Sequence, residues 1–270
     1  MSARLKAKLA SLKSENRAGF VPFIMAGDPD ITTSAAILAE LPQHGADIIE
    51  IGVPFSDPMA DGPTIQAAAI RALAAGTKIA QIFDMVREFR TRNTDTPIIL
   101  MGYYNPILHR GVENFMQQAA SAGVDALIIV DLPTEELSAI LPSTQQHGID
   151  IICLVAPTSL QDRLPLITAH ATGFLYYITI KGITGTASAD YTALEQDIAI
   201  IRKQSALPIA VGFGIKSPAD VATVSCFADL VVVGSAIVSI VASHAQGERD
   251  MLVQEVLSHC EALASGIQPR

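Results

Sequence analysis

Short apolar runs recur along the chain at 20–25, 48–52, 98–101, 126–130, 151–155, 174–178, 209–211 and 230–233. Most are continuously apolar rather than alternating, the pattern of parallel strands buried on both faces. Between them lie amphipathic segments of helical period, at 32–44, 79–92, 111–122, 135–147 and 217–227. Alternation of this kind, with right-handed crossovers, builds a parallel sheet. Eight such units predict closure into a (β/α)8 barrel of the TIM type, whose interior eight strands' side chains just fill. The competing architecture is a doubly wound open sheet, but no GxGxxG follows the first run, where a dinucleotide fold carries it. No linker or low-complexity stretch divides the chain, so residues 1–270 are read as one domain. Leu5, Leu9 and Leu12 repeat at helical spacing within a basic segment, predicting an N-terminal amphipathic helix over one end of the fold rather than a transit peptide.

Bulk properties narrow the function. A formal charge of −9 over 270 residues argues against nucleic acid as a partner. Cys153, Cys226 and Cys260 lie far apart with no CxxC pair, which fits a reducing compartment and points to neither a disulfide scaffold nor a metal site. Half of the residues are hydrophobic and the mean hydropathy is +0.37. The longest apolar stretch, 230–242, is nevertheless interrupted by Gly234, Ser235 and Ser239 and is too short for a membrane span. The expected protein is soluble, in the cytoplasm or a plastid-like stroma.

The two ends of the units differ. Connections from helix to strand, such as 44–47, 121–125 and 146–150, are short and bland, whereas those after strands are rich in Gly, Pro, Asp and Thr. Barrel chemistry sits at the C-terminal ends of strands. Of the histidines only His109 belongs to that end, and no His/Cys/carboxylate cluster has ligand spacing. Glu50 interrupts an otherwise apolar strand near its C-terminal end, and burial there raises a carboxyl pKa towards the range of a proton-transfer catalyst. Asp61 follows on the next loop, able to return over the barrel mouth. The plainer alternatives are a rim salt bridge for Glu50 and turn positions beside Pro58 and Gly62 for Asp57 and Asp61. Later, Gly182 and Gly185 follow the sixth run, Gly212 and Gly214 the seventh, and Gly234 with Ser235 the eighth. Backbone N–H groups there, with a helix beginning near Ser235, are the phosphate site that many barrels build.

The segment 50–62 resembles the signature of tryptophan synthase alpha subunits. So do Phe20-Val21-Pro22-Phe23 with Ala26-Gly27-Asp28-Pro29, Met101-Gly102-Tyr103-Tyr104-Asn105-Pro106, Asp131-Leu132-Pro133 and Gly182-Ile183-Thr184-Gly185, in family order across nearly the whole chain. The resemblance implies a lyase that needs no cofactor and splits indole-3-glycerol phosphate into indole and glyceraldehyde 3-phosphate. In it Glu50 is the general acid/base and Asp61 its partner carboxylate. Gly185, Gly214, Gly234 and Ser235 hold the phosphate, and Phe23, Tyr176, Thr184 and Phe213 line the indole pocket. It also implies an α2β2 heterotetramer with a pyridoxal-phosphate beta subunit, which receives the indole. Pro54, Phe55 and Pro58 stiffen the Asp61 loop that such a partner could grip, and the small residues of 182–190 suit a loop that closes over phosphate. Two positions depart from the family pattern: Met25, where Thr is usual, and Thr179-Ile180, where Ser is common. Two other functions stay open, a Schiff-base aldolase using Lys181 and a barrel whose main role is to activate a partner.

Overall fold

The computed structural model describes residues 1–178, 191–212 and 214–269. In chain order the elements are α1 (Ala3–Ser14), β1 (Gly19–Met25), α2 (Ile31–Glu40), β2 (Ile49–Gly52), α3 (Pro63–Ala74), α4 (Ile79–Arg90), β3 (Ile98–Gly102), α5 (Tyr104–Arg110), α6 (Val112–Ala122), β4 (Ala126–Ile129) and α7 (Leu141–His147). There follow β5 (Asp150–Ile151), β6 (Cys153–Val155), α8 (Leu164–His170), β7 (Leu175–Tyr177), α9 (Tyr191–Gln204), β8 (Ile209–Val211), α10 (Pro218–Ser225), β9 (Leu230–Val233), α11 (Ser235–His244) and α12 (Arg249–Ala264). Among the described residues the strands pair in parallel in the order β5-β4-β3-β2-β1-β9-β8-β7-β6. The first and last members are the two halves of one run, so the sheet curls into a barrel.

That run is where the pattern of 151–155 as a single strand fails. Its first half pairs with β4 (Ala126↔Asp150, Leu127↔Ile151) and its second half with β7 (Cys153↔Leu175, Leu154↔Tyr176). The chain switches neighbours at Ile152, whose N–H still reaches the Leu127 carbonyl at 2.9 Å. Strand stagger in a closed barrel produces such a handover, and local composition carries no sign of it. The segment 135–147 likewise divides, into a 3₁₀ turn at Thr134–Ala139 and α7, whose first turn holds Pro142. A proline lacks the N–H needed to continue one helix into the next.

Side chains alternate across the barrel wall. Val21, Ile48, Ile99, Ile128, Phe174, Ala210 and Val232 pack together inside, and Leu5 and Leu12 of α1 join them from below. The N-terminal helix is therefore a plug, as its leucine spacing predicts. The outward set packs against the surrounding helices, for example Ile51, Leu100 and Val231 with Phe83, Met116 and Ile237.

The helix-to-strand connections are not bland. Asp47, Asp125 and Asp150 are buried, and two of them, with Asp229, accept an N–H from the first or second residue of a neighbouring strand. Phe20 donates to Asp47 at 3.0 Å, Ile98 to Asp125 at 2.8 Å and Ile209 to Asp229 at 2.9 Å. Each carboxylate also takes a cation: Arg17 on Asp47, Arg4 and Arg90 on Asp125, the N-terminal amine on Asp150 and Arg202 on Asp229. A buried carboxylate is tolerated only when paired in this way. This ring seals the lower end of the barrel and ties α1 to it.

Candidate active site

Glu50 points into the upper barrel from β2, beside Phe23 on β1 and Ile99 on β3. Only 1% of its surface is exposed, and its Oε2 has no hydrogen-bond partner among the described residues. Among the described residues Glu50 forms no rim salt bridge, the plainer alternative. Burial, and then the nearby charge of Asp61, push its pKa up from 4.5 to about 8. At neutral pH Glu50 is therefore mostly a neutral acid holding a transferable proton.

Asp61 lies on the loop between β2 and α3, and three neighbours shape that loop. The Tyr103 hydroxyl donates to Asp61 Oδ2 at 3.1 Å while accepting from the Ala60 N–H at 3.1 Å. Gln66, in the first turns of α3, donates through Nε2 to the Asp61 carbonyl at 2.8 Å. The Phe55 ring leans on Tyr103 with centroids 5.1 Å apart. Partial burial raises the Asp61 pKa, and the Tyr103 hydrogen bond opposes the rise. The Asp61 charge in turn helps to keep Glu50 protonated. Asp57 is an exposed turn residue bonded to Ser56. His109 is exposed on α5.

Alpha3 is anchored from its far side by a bidentate ion pair. Arg71 meets both oxygens of buried Asp28 at 2.7 Å, joining the helix that follows Asp61 to the loop after β1. Ala68, Ala69 and Ala72 on its inner side pack on Phe23 and Met25. Met25, one of the departures from the family pattern, is thus a packing residue of this layer.

The remaining wall of the mouth is an arc through adjacent strands. Phe23 lies next to Gly234 at the end of β9, where a Cβ would stand 3.5 Å from the Phe23 Cβ. Beta8 pairs with β9 (Val211↔Val231), so the turn carrying Gly214 neighbours the Gly234–Ser235 corner. Gly214 has a φ of +75° and open space around it, a conformation that favours glycine. Gly234 caps α11 and Ser235 opens it, with Ser235 exposed. Tyr176 closes the arc from β7. Burial above all, and then Glu50, push its phenol pKa up.

Two close approaches shape this wall. A Cβ on Gly212 would lie 2.0 Å from the Tyr176 hydroxyl, and one on Gly52 2.6 Å from the tip of the Phe23 ring. Only glycine leaves room for both aromatics on the inner face. Gly212 is expected with Gly214 in a phosphate-binding turn; the structure adds a steric role, since a side chain there would meet Tyr176. Thr184, Gly185 and Phe213, together with Lys181, Thr179-Ile180 and the loop 182–190, lie outside the described residues. Tyr103, Gln66 and Arg71 were not singled out from sequence. Tyr103 lies within the family-like segment 101–106, the signal in the sequence that points to it.

Residues 9–268 match the family model for the tryptophan synthase alpha chain. The chain belongs to the tryptophan synthase alpha chain family. It is 51% identical over 269 residues to the tryptophan synthase alpha chain of Acidiphilium cryptum, covering 98% of each chain. It is 49% identical over 265 residues to that of Caulobacter sp. strain K31, covering 98% of this chain and 96% of the relative. Among solved structures, tryptophan synthase subunit alpha from Legionella pneumophila superposes with a TM-score of 0.90 at 39% identity, covering 98% of each chain. A chain of tryptophan synthase from M. tuberculosis does so with a TM-score of 0.87 at 32% identity, covering 98% of this chain and 99% of the other. As a member of this alpha chain family with a parallel, helix-wrapped barrel, the protein has the (β/α)8 architecture expected from its pattern. No helix among the described residues is long and apolar enough to cross a membrane.

Proposed function

We propose that Glu50 and Asp61 are the acid–base pair of a carbon–carbon lyase acting at the mouth of this barrel. The protein cleaves indole-3-glycerol phosphate to indole and glyceraldehyde 3-phosphate, the alpha reaction of tryptophan biosynthesis. The observation that carries the residue assignment is the buried carboxyl of Glu50, whose Oε2 has no partner among the described residues and which is kept neutral in part by Asp61.

The chemistry needs two carboxyl groups in opposite protonation states. Breaking the bond at indole C3 requires a proton on that carbon, which interrupts aromaticity and places positive charge towards the ring nitrogen. Neutral Glu50 supplies the proton, and ionised Asp61 accepts a hydrogen bond from the ring N–H as charge develops. The Glu50 carboxylate so formed then removes the proton of the side-chain hydroxyl next to the breaking bond. That oxygen becomes the aldehyde, and the bonding electrons return to the indole. The proton given to C3 is replaced on Glu50, so the acid is regenerated within the cycle. The ring itself accepts the electrons, and Phe23 and Tyr176 supply apolar walls for it. Gly214, Gly234 and Ser235 offer backbone N–H groups, the Ser235 hydroxyl and the positive end of α11 to the phosphate. Thr184, Gly185 and Phe213 complete the assigned set.

The same reading treats residues 1–270 as one domain working in the cytoplasm with a tryptophan synthase beta subunit in an α2β2 assembly. The Asp61 loop supports the partnership: Pro54, Phe55 and Pro58 restrain it, and Met59 beside them is 83% exposed. The test is indole release from indole-3-glycerol phosphate by the isolated chain, repeated with beta subunit and with Phe55→Ala. The expected result is slow cleavage alone and faster cleavage in the complex, with the gain blunted in Phe55→Ala. An inactive isolated chain would remove the lyase reading of the pair. An unchanged rate in a verified complex would remove the coupling alone.

A further inference from the structure

Gly214 sits in a turn between β8 and α10, so something outside regular structure must fix its position. That anchor is Asp220, in the first turn of α10. Its Oδ2 accepts from the Lys216 N–H at 3.1 Å, the Ser217 N–H at 2.9 Å and the Ser217 hydroxyl at 2.8 Å. The Ser217 hydroxyl in turn accepts from the Asp220 N–H at 3.2 Å, completing a capping box. The other oxygen, Oδ1, accepts from the Tyr191 hydroxyl at 2.7 Å. Tyr191 opens α9 and packs against the main core. Burial raises the Asp220 pKa, but the hydrogen bonds from Tyr191, Ser217 and the turn's backbone outweigh it and hold the carboxyl below its ordinary range. Asp220 is therefore an ionised acceptor whose bonds among the described residues are directed at the segment after Gly214 or at Tyr191.

We propose that Tyr191 and Asp220 are positioning residues for the phosphate end of the substrate, fixing the turn that presents Gly214 beside the Gly234–Ser235 corner. The inference rests on the reading of Gly214 as a phosphate contact. Neither residue touches the ligand; they act through the turn. Fixing donors in place before binding is what gives a backbone anion site its affinity, because the ligand then need not order the loop. The simpler role is a staple between α9 and α10, which would affect stability and leave ligand preference alone.

The experiment titrates the full-length chain calorimetrically with glycerol 3-phosphate and, separately, with indole, while melting temperatures confirm folding. Tyr191→Phe, which removes one hydroxyl, should weaken glycerol 3-phosphate about fivefold, a fraction of what a hydrogen bond to a charged acceptor is worth, because the loss reaches the ligand only through the turn. Indole binding should stay at the wild-type value. Asp220→Ala should weaken glycerol 3-phosphate further, and the double variant should be no weaker than Asp220→Ala, since both act through one contact. Gly214→Asp, which places a charge at the turn itself, serves as the reference. If it abolishes glycerol 3-phosphate binding while Tyr191→Phe binds like wild type, the positioning role is wrong and the phosphate reading stands. If Gly214→Asp also binds like wild type, the phosphate reading fails and takes the inference with it. Equal losses for indole and glycerol 3-phosphate in Tyr191→Phe would reduce the pair to a staple.

Discussion

Replacing Glu50 by Gln keeps the size of the side chain and removes its proton chemistry, so it tests burial and catalysis together. The folded carboxyl has a pKa of about 8, against 4.5 for the ordinary group. Between those values the folded chain holds a proton that the unfolded chain has released, so stability falls as pH rises through the window. The loss amounts to about 3 kcal/mol at pH 7 and approaches about 5 kcal/mol above pH 9. An uncharged glutamine carries no such penalty. Glu50→Gln should therefore match wild type near pH 4 and become progressively more stable than it as pH rises, read from denaturant unfolding at pH 5, 7 and 9. Turnover of indole-3-glycerol phosphate should fall by about 10²–10⁴-fold, the contribution of a positioned proton donor, while indole still binds. A stability gap that does not change with pH would show that Glu50 is not a desolvated acid. Wild-type turnover in the variant would refute its role as the proton carrier.

Three further outcomes follow from the same geometry. The pH profile of kcat/KM should fall on the alkaline side near pH 8 as Glu50 loses its proton, and on the acid side as Asp61 gains one. Tyr103→Phe, which removes the hydrogen bond that opposes the Asp61 rise, should shift the acid limb to higher pH; an acid limb that stays in place would mean that Asp61 does not set it. Gly212→Ala should destabilise the fold by about 1–3 kcal/mol through overpacking, because its Cβ falls 2.0 Å from the Tyr176 hydroxyl. Adding Tyr176→Phe should restore only part of that loss, because the ring Cζ would still stand 2.6 Å away, and a melting temperature unmoved by the second change would place the strain elsewhere.

Some of this was legible in the sequence because it is one-dimensional physics. Parallel strands buried on both faces must be continuously apolar, so their runs mark themselves, and a single carboxylate within one, Glu50, stands out for the same reason. The leucines of α1 declare a plug by their spacing. Gly234 before Ser235 announces a helix start whose N–H groups are free. Other features depend on which distant segments meet. The handover at Ile152 follows from the stagger needed to close a barrel, which no local composition encodes. Asp47, Asp125 and Asp150 read as ordinary turn residues because their partners, Arg17, Arg4, Arg90 and the N-terminus, come from elsewhere in the chain. Tyr103 becomes part of the site only when β3 brings its hydroxyl beneath the Asp61 loop. The direction of the Glu50 shift was readable from an apolar strand, but its size was not. Desolvation and the field of Asp61 act through space, and only the closed barrel puts both on the same oxygen atoms.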